Sequence, residues 1–530
     1  MPRAPAFVWA PALLIAAALA LPLIYLILRA LGAESGIWEV LLRWRTLEIL
    51  GRSALLAVSV TGLSVAISVP LAWLTVRTDL PLKRFWSVVT ALPLVIPSYL
   101  GAFVLIAALS PRGMLQQLLG GVFGIERLPD VHGFWGASLT LTVLSFPYVL
   151  LPVRAAMRNL DPGVEESARV LGHGPGSVFF RITLMQLRPA IVAGALLVAL
   201  YTLSDFGAVS LLQYETFTWA IYLQFNSVFD RGIAASLSLV LVAMALAILL
   251  VDSYTRGQSR YSTNGAGGKK RTPLVRLGSW KWVGFGFCSL VGLVSIGIPL
   301  AVLSYWLVRG LTAGEAFSSF WGAAVNSIYA SLLAAVVCVI AAAPIAILSV
   351  RFPSRFSALV ERFSYLGFAL PGVVVALALV YFGANYALPL YQTLVMLVFA
   401  YAILFLPPAV GAIRAQLLQV DPKIEEAARG LGLSPPRVFL SVTLPLIRGG
   451  VLAGGALVFL ITMKELPASL LLGPIGFKTL ATSVWSASEA AFFAKAALPA
   501  LLLVLLSSVP MALLVLADKG DDQTLQQAKK

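Results

Sequence analysis

Residues 161–190 read DPGVEESARVLGHGPGSVFFRITLMQLRPA, and residues 421–450 read DPKIEEAARGLGLSPPRVFLSVTLPLIRGG. The stretches align at an offset of 260 with 14 identities in 30 positions. The same offset pairs Pro147 with Pro407, Arg154 with Arg414 and Asp205 with Glu465. Nearer the start of each half the offset is 274, pairing Ser53 with Ser327, Pro70 with Pro344, Arg77 with Arg351 and Pro97 with Pro371. The 14 extra residues belong to the loop around residues 111–133. The chain is therefore an internal duplication.

Each copy of the polar stretch encodes a short helix, a turn and a second helix. Asp161 can cap free amides and Pro162 suits a first helical turn, as do Asp421 and Pro422. Val164, Ala168 and Leu171 share one helical face by spacing. Glu165 and Arg169 lie four apart and can pair on the other side, as can Glu425 and Arg429. Gly172 and Gly432 can close the helix in a left-handed cap. Pro175 and Pro435 can then open the second helix.

The surroundings are strongly apolar. Of 530 residues 59% are hydrophobic and only 12% are charged, about half the charged share of a soluble domain; mean hydropathy is +0.92. Twelve apolar blocks lie near 8–29, 53–76, 86–109, 134–153, 189–213, 232–251, 282–308, 325–350, 359–382, 388–413, 449–473 and 495–517. Backbone groups in lipid must bond within their own segment, so these are expected as helices. No ten-residue alternation supports a β-barrel. The expected fold is an all-α polytopic membrane protein of about twelve transmembrane helices, arranged as two parallel six-helix repeats. The repeats run 1–252 and 282–518, joined by a basic, Gly/Ser-rich linker at 253–281 and followed by a tail at 519–530.

Net charge is +15, which in a soluble chain would raise nucleic acid as a partner. Here 27 of the 38 Lys and Arg residues fall on one side of the twelve-block topology. That asymmetry places both termini in the cytoplasm, with membrane lipid as the partner and no nucleic acid. Only two cysteines, Cys288 and Cys338, and two histidines, His132 and His173, are present, so neither a disulfide framework nor a metal site is expected. The N-terminal apolar run is too long for a signal-peptide core and is expected as a retained span. Both polar stretches then lie in cytoplasmic loops between the fourth and fifth spans of their half. One copy alone suits an amphipathic connector lying in the headgroups; two in register suit a two-fold symmetric cytoplasmic partner.

EESARVLGHGP and EEAARGLGLSP resemble the EAA loop of ABC importer permeases that work with substrate-binding proteins. The second copy, Glu426-Ala427-Ala428 with Gly432, Val442 and Leu444-Pro445, fits that pattern almost throughout. The first departs at Ser167 and at Met185. The resemblance implies the type I importer permease fold and a coupling helix in each loop that docks on one ATPase subunit. It assigns that coupling to Glu165, Glu166, Ala168, Arg169 and Gly172, and to Glu425, Glu426, Ala428, Arg429 and Gly432. It further implies two copies of an ABC ATPase subunit and a periplasmic substrate-binding protein as partners. The chain has no Walker A loop, since GAGGKKRT lacks the spacing and the Ser/Thr after Lys. No catalysis and no cofactor are expected on this chain, with ATP on the partner subunit.

Ionisable residues inside spans are costly and mark candidate paths. Asp205 stands in the fifth block and Lys464 with Glu465 at the matching point of the eleventh. Two carboxylates facing one axis would suit a cation; a local Lys464–Glu465 contact or hydrogen bonding at the outer mouth accounts for them equally well. The surrounding segments, DFGAVSLLQYETFTWAIY and MKELPASLLLGPIGFKTLATSVWS, resemble fused iron(III) permeases fed by ferric-binding proteins. Thiamine, polyamine and phosphonate permeases share the layout. A secondary transporter of major-facilitator type also has six plus six spans, but the duplicated EAA loop argues against it.

Overall fold

The computed structural model describes residues 5–31, 42–111, 113–124, 126–225, 231–258, 274–315, 320–365, 367 and 370–527. Most of the expected linker and the last residues of the tail lie outside that set. Among the described residues the secondary structure is helical, with one isolated bridge between Thr78 and Val275.

Ten helices among the described residues are long and apolar enough to cross a membrane. The elements that build the site are α1 (Ala6–Leu31), α2 (Trp44–Arg77), α3 (Pro147–Arg158), α4 (Pro162–Val170) and α5 (Leu184–Ser204), then α6 (Phe320–Arg351), α7 (Leu394–Leu417), α8 (Pro422–Gly430) and α9 (Arg448–Met463). Two of the twelve expected blocks differ from simple spans. The block near 449–473 is reached through the pair Pro435–Leu446 and Arg448–Met463, bent by 75°. The block near 359–382 is divided between the end of the helix Arg355–Ser364 and the shorter apolar helix Gly372–Tyr386. Pro371 precedes that helix as its N-cap and ends what hydropathy reads as one run.

α6 is apolar outward and carries mostly small or polar residues inward. On α6, Leu332, Val336 and Ile340 repeat every fourth residue and are exposed, whereas Ser331, Ala335, Cys338 and Ala342 are buried. This inversion fits lipid as solvent, where close approach rather than apolar burial drives helix association. One close approach recurs in both halves. A Cβ on Gly194 of α5 would stand 2.6 Å from the Val149 Cα of α3, and one on Gly454 of α9 would stand 3.1 Å from the Ala409 Cα of α7. Ser53 of α2 accepts the Phe217 amide at 3.2 Å, and Ser327 of α6 accepts the Leu480 amide at 2.7 Å.

Two compact units emerge from the packing: Met1–Leu42, Ile221–Leu239 and Arg309–Lys530 form one, Arg43–Ala220 and Val240–Val308 the other. They overlap with the sequence repeats but exchange leading helices. In the first unit α1 packs on α6, on Arg355–Ser364 and on Gly372–Tyr386. In the second, Lys281–Gly292 packs on Lys83–Val89. There too the linker's far end is fastened, as the Val275 amide donates to Arg77 O at 2.8 Å and the Leu277 amide to Asp79 Oδ1 at 2.9 Å.

Candidate functional site

Each unit carries one polar loop. In the first copy the Asp161 carboxylate accepts the Gly163 amide at 2.9 Å and opens α4. In the second, Asp421 accepts the Lys423 amide at 3.0 Å and opens α8. Both helices end in a Schellman turn. The His173 amide reaches Ala168 O at 3.1 Å and the Gly172 amide reaches Arg169 O at 3.0 Å; Leu433 to Ala428 and Gly432 to Arg429 repeat this at 3.3 and 2.9 Å. Gly172 and Gly432 hold φ of +86° and +87° with open space where a Cβ would sit. Glycine is needed there for backbone conformation, not for room.

Val164, Ala168 and Leu171, which share a face by spacing, differ in burial. Ala168 is 5% exposed, but Val164 is 45% and Leu171 is 79% exposed. The inward face is instead Glu165 with Ala168, and Glu425 with Ala428. The reason is a long-range clamp. The Arg77 guanidinium, at the end of α2, donates to Glu165, and the Thr183 hydroxyl donates to Glu165 at 2.9 Å. In the second copy Arg351, at the end of α6, donates through Nη2 to Glu425 Oε1 at 2.9 Å and through Nε at 3.2 Å. Thr443 completes that clamp at 3.2 Å. The expected i,i+4 pairs exist but are the longer members, with Arg169–Glu165 at 3.8 Å and Arg429–Glu425 at 3.9 Å.

Thr183 and Thr443 close identical π-helical turns, Phe179–Thr183 and Phe439–Thr443. Such turns shift the helical register locally, and here they end on the hydroxyl that reaches the buried carboxylate. Each loop is thus fixed at three points: the end of a long helix, its own first helix and the start of the next. Turned outward are Glu166, Val164, Val170 and Leu171 in one copy, and Glu426, Ile424 and Leu431 in the other. Val170 is 88% and Leu431 is 86% exposed.

Asp205 and Glu465 lie at breaks in the helices rather than within them. Asp205 follows α5 and accepts the Ala208 and Val209 amides at 3.0 and 3.3 Å, opening the short helix Gly207–Leu211. Glu465 follows α9 and accepts the Ala468 amide at 3.0 Å and the Ser469 amide at 3.2 Å, opening Pro467–Leu472. Both are buried, and both act as helix caps. Lys464 is half-buried and ends α9. Among the described residues no three His, Cys, Asp or Glu side chains converge on a place that could hold a metal ion.

The clamp's Arg77, Arg351, Thr183 and Thr443 were not among the candidates. Their signal was present: Arg77 and Arg351 match at offset 274, and Thr183 and Thr443 are identical at offset 260.

The chain is 39% identical over 522 residues to the Fe(3+)-transport system permease protein FbpB 2 of Haemophilus influenzae, covering 97% of this chain and 99% of that protein. It is 33% identical over 219 residues to the molybdenum transport system permease protein ModB of Escherichia coli, covering 39% of this chain and 94% of ModB. The putative ferric transport system permease protein FbpB 1 of H. influenzae is 22% identical over 462 residues, covering 83% of this chain and 72% of that protein. A family model described as the inner membrane component of binding-protein-dependent transport systems matches residues 60–260 and again 338–520, one match for each copy of the loop. With both halves matched and a full-length relative beside it, this chain belongs to the family of binding-protein-dependent transport system inner membrane components.

Proposed function

We propose that this permease passes ferric iron, delivered by a periplasmic binding protein, and is driven by two copies of a separate ABC ATPase subunit. One observation carries the ATPase assignment. Two loops, one per compact unit, share the same Arg–Glu–Thr clamp and the same glycine cap, and each presents an exposed apolar tip. A rigid helix with an apolar tip suits a groove on a partner. In this reading the tip residues and Glu166, Glu426 and Arg169 meet the ATPase, Arg429 borders that surface beside Glu425, and Glu165, Glu425, Ala168 and Ala428 hold the helix in place. Gly172 and Gly432 set its end. ATP is bound and hydrolysed on the partner, and this chain performs no catalysis. Both loops and both termini face the cytoplasm in this reading, which the Lys and Arg distribution supports.

Iron is favoured as cargo by the full-length similarity to FbpB 2. The ion enters here as substrate and not as a resident cofactor. Asp205, Lys464 and Glu465 remain the candidates on its path, with the two carboxylates occupied as helix caps. The test is uptake into proteoliposomes holding this chain, its ATPase and its binding protein, with radiolabelled iron, molybdate and thiamine offered in parallel. ATP-dependent accumulation of iron alone is expected. Accumulation of molybdate or thiamine without iron would overturn the substrate, and uptake without any ATPase would overturn the coupling.

A further inference from the structure

Where α1 begins, the end of α6 and the second loop enclose a cavity of about 450 Å³. All of its lining residues belong to one compact unit. The wall is apolar, built from Phe7, Val8, Ile340, Ile347, Val438 and Phe439. Its polar end carries Arg351, Glu425 and Arg429. Arg351 is paired with Glu425 at 2.9 Å. Arg429 stands 3.9 Å from the same carboxylate, with its side chain 49% exposed. The polar end therefore holds two guanidinium groups against one carboxylate.

The apolar wall is continuous with the outer surface of the spans. Phe7 and Ile340 both line the cavity and are 48% and 68% exposed. Both sit on helices long and apolar enough to cross a membrane, so these faces look onto acyl chains. The volume lies within the roughly 300–1,000 Å³ typical of small-molecule sites. An apolar chamber open to lipid, with surplus positive charge at its membrane-edge end, matches an anionic amphiphile in shape and charge. Basic pockets between membrane helices bind anionic headgroups for this reason.

We infer that this cavity is a binding site for one anionic phospholipid from the leaflet on the loop's side. An acyl chain lies against Ile340, Ile347 and Phe7, and the phosphate meets Arg429. The lipid then touches α1, α6 and the loop together, so an anionic headgroup bears directly on the residues that fix α8. This rests on the membrane-spanning fold and not on the ATPase or the cargo, so its failure would leave both of those readings standing.

Native mass spectrometry of the full chain tests it, after delipidation and return of phosphatidylglycerol and phosphatidylcholine with matched acyl chains. One retained phosphatidylglycerol per chain is expected, in preference to phosphatidylcholine. Ala343→Phe, which fills the cavity wall, should abolish retention. Arg429→Gln should keep a bound lipid but reduce the preference for the anionic one about fivefold. A second measurement on the unaltered chain does not depend on a variant folding: phosphatidylglycerol with a photoactivatable acyl chain should crosslink within residues 5–11 and 340–352. Equal retention of both lipids, full retention by a folded Ala343→Phe chain, or crosslinks spread evenly over the lipid-facing helices would each overturn the site.

Discussion

Arg351→Met removes the guanidinium that anchors α8 to the end of α6. Three hydrogen bonds go with it: two to Glu425 Oε1, at 2.9 and 3.2 Å, and one to Val420 O at 3.0 Å. The Glu425 side chain, 8% exposed, is left with Thr443 at 3.2 Å and Arg429 at 3.9 Å. Removing one member of a buried ion pair costs about 3–5 kcal/mol, because the other charge stays buried and uncompensated. Each 1.4 kcal/mol is a factor of about ten, so local opening of the loop should become roughly two to four decades more frequent. The reporters are the Leu431, Gly432 and Leu433 amides, which bond back to Ala427, Arg429 and Ala428. Their hydrogen exchange, measured on the full chain in nanodiscs, should accelerate by that factor or up to the limit set by the already open loop. Arg429→Met is the internal control. Its side chain is 49% exposed, and a pair of that kind is worth under about 1 kcal/mol. The double variant Arg351→Met/Glu425→Leu removes both charges and should recover most of the loss. Exchange in Arg351→Met no faster than in Arg429→Met, or a double variant as open as the single, would refute the clamp.

Gly432→Ala should cost about 1–2 kcal/mol, the price of a left-handed backbone for an L residue, since no atom stands within 4 Å of the added Cβ; loop exchange should rise, and Gly432→Asn should lose less. Leu431→Asp alters a side chain that is 86% exposed and should leave the thermal unfolding midpoint unchanged while reducing copurification of the ATPase, a result that wild-type capture would contradict. Asp205→Ala removes a cap and should lose about 0.5–2 kcal/mol, whereas Asp205→Asn keeps an acceptor for the Ala208 and Val209 amides and should stay near wild type in stability. Equal destabilisation of both would sink the cap, and loss of iron uptake in a stable Asp205→Asn chain would place its charge on the path.

The duplication, the caps and the glycine turns were legible because each is a local pattern read twice. The inward face of α4 was not. Helical spacing groups Val164, Ala168 and Leu171 on one face but does not say which face is buried. The face that is buried carries a glutamate, because its partner Arg77 arrives from 88 positions away and neutralises it. Hydropathy also could not place Asp205 or Glu465. Each lies in a segment that is apolar overall despite Ser204 and Lys464 beside it, so a run of hydrophobicity continues where the helix stops and a new one begins. The exchange of leading helices between units has no sequence signature either. An apolar span shows that it needs neighbours without showing which ones.

The two loops share a clamp but not the same connection onward. In the first copy the chain from Pro175 to Ser204 is long enough to cross as one span, with Pro189 inside it. In the second, the matching run is bent by 75° between Leu446 and Arg448. Pro445 removes an amide donor there, and Gly449 with Gly450 lowers helix propensity immediately after. A force on α4 therefore acts on a span without a break, while a force on α8 acts through a corner. The clamp bears on this difference. Because Arg351 ties α8 to α6 directly, displacement of the second loop has a route into a long helix that bypasses the bend. In the first copy Arg77 offers the same route in parallel with an unbroken span. Loss of the arginine should accordingly isolate the second loop from the membrane helices more completely than the first, even though the sequence of the second loop is the closer match to the EAA pattern.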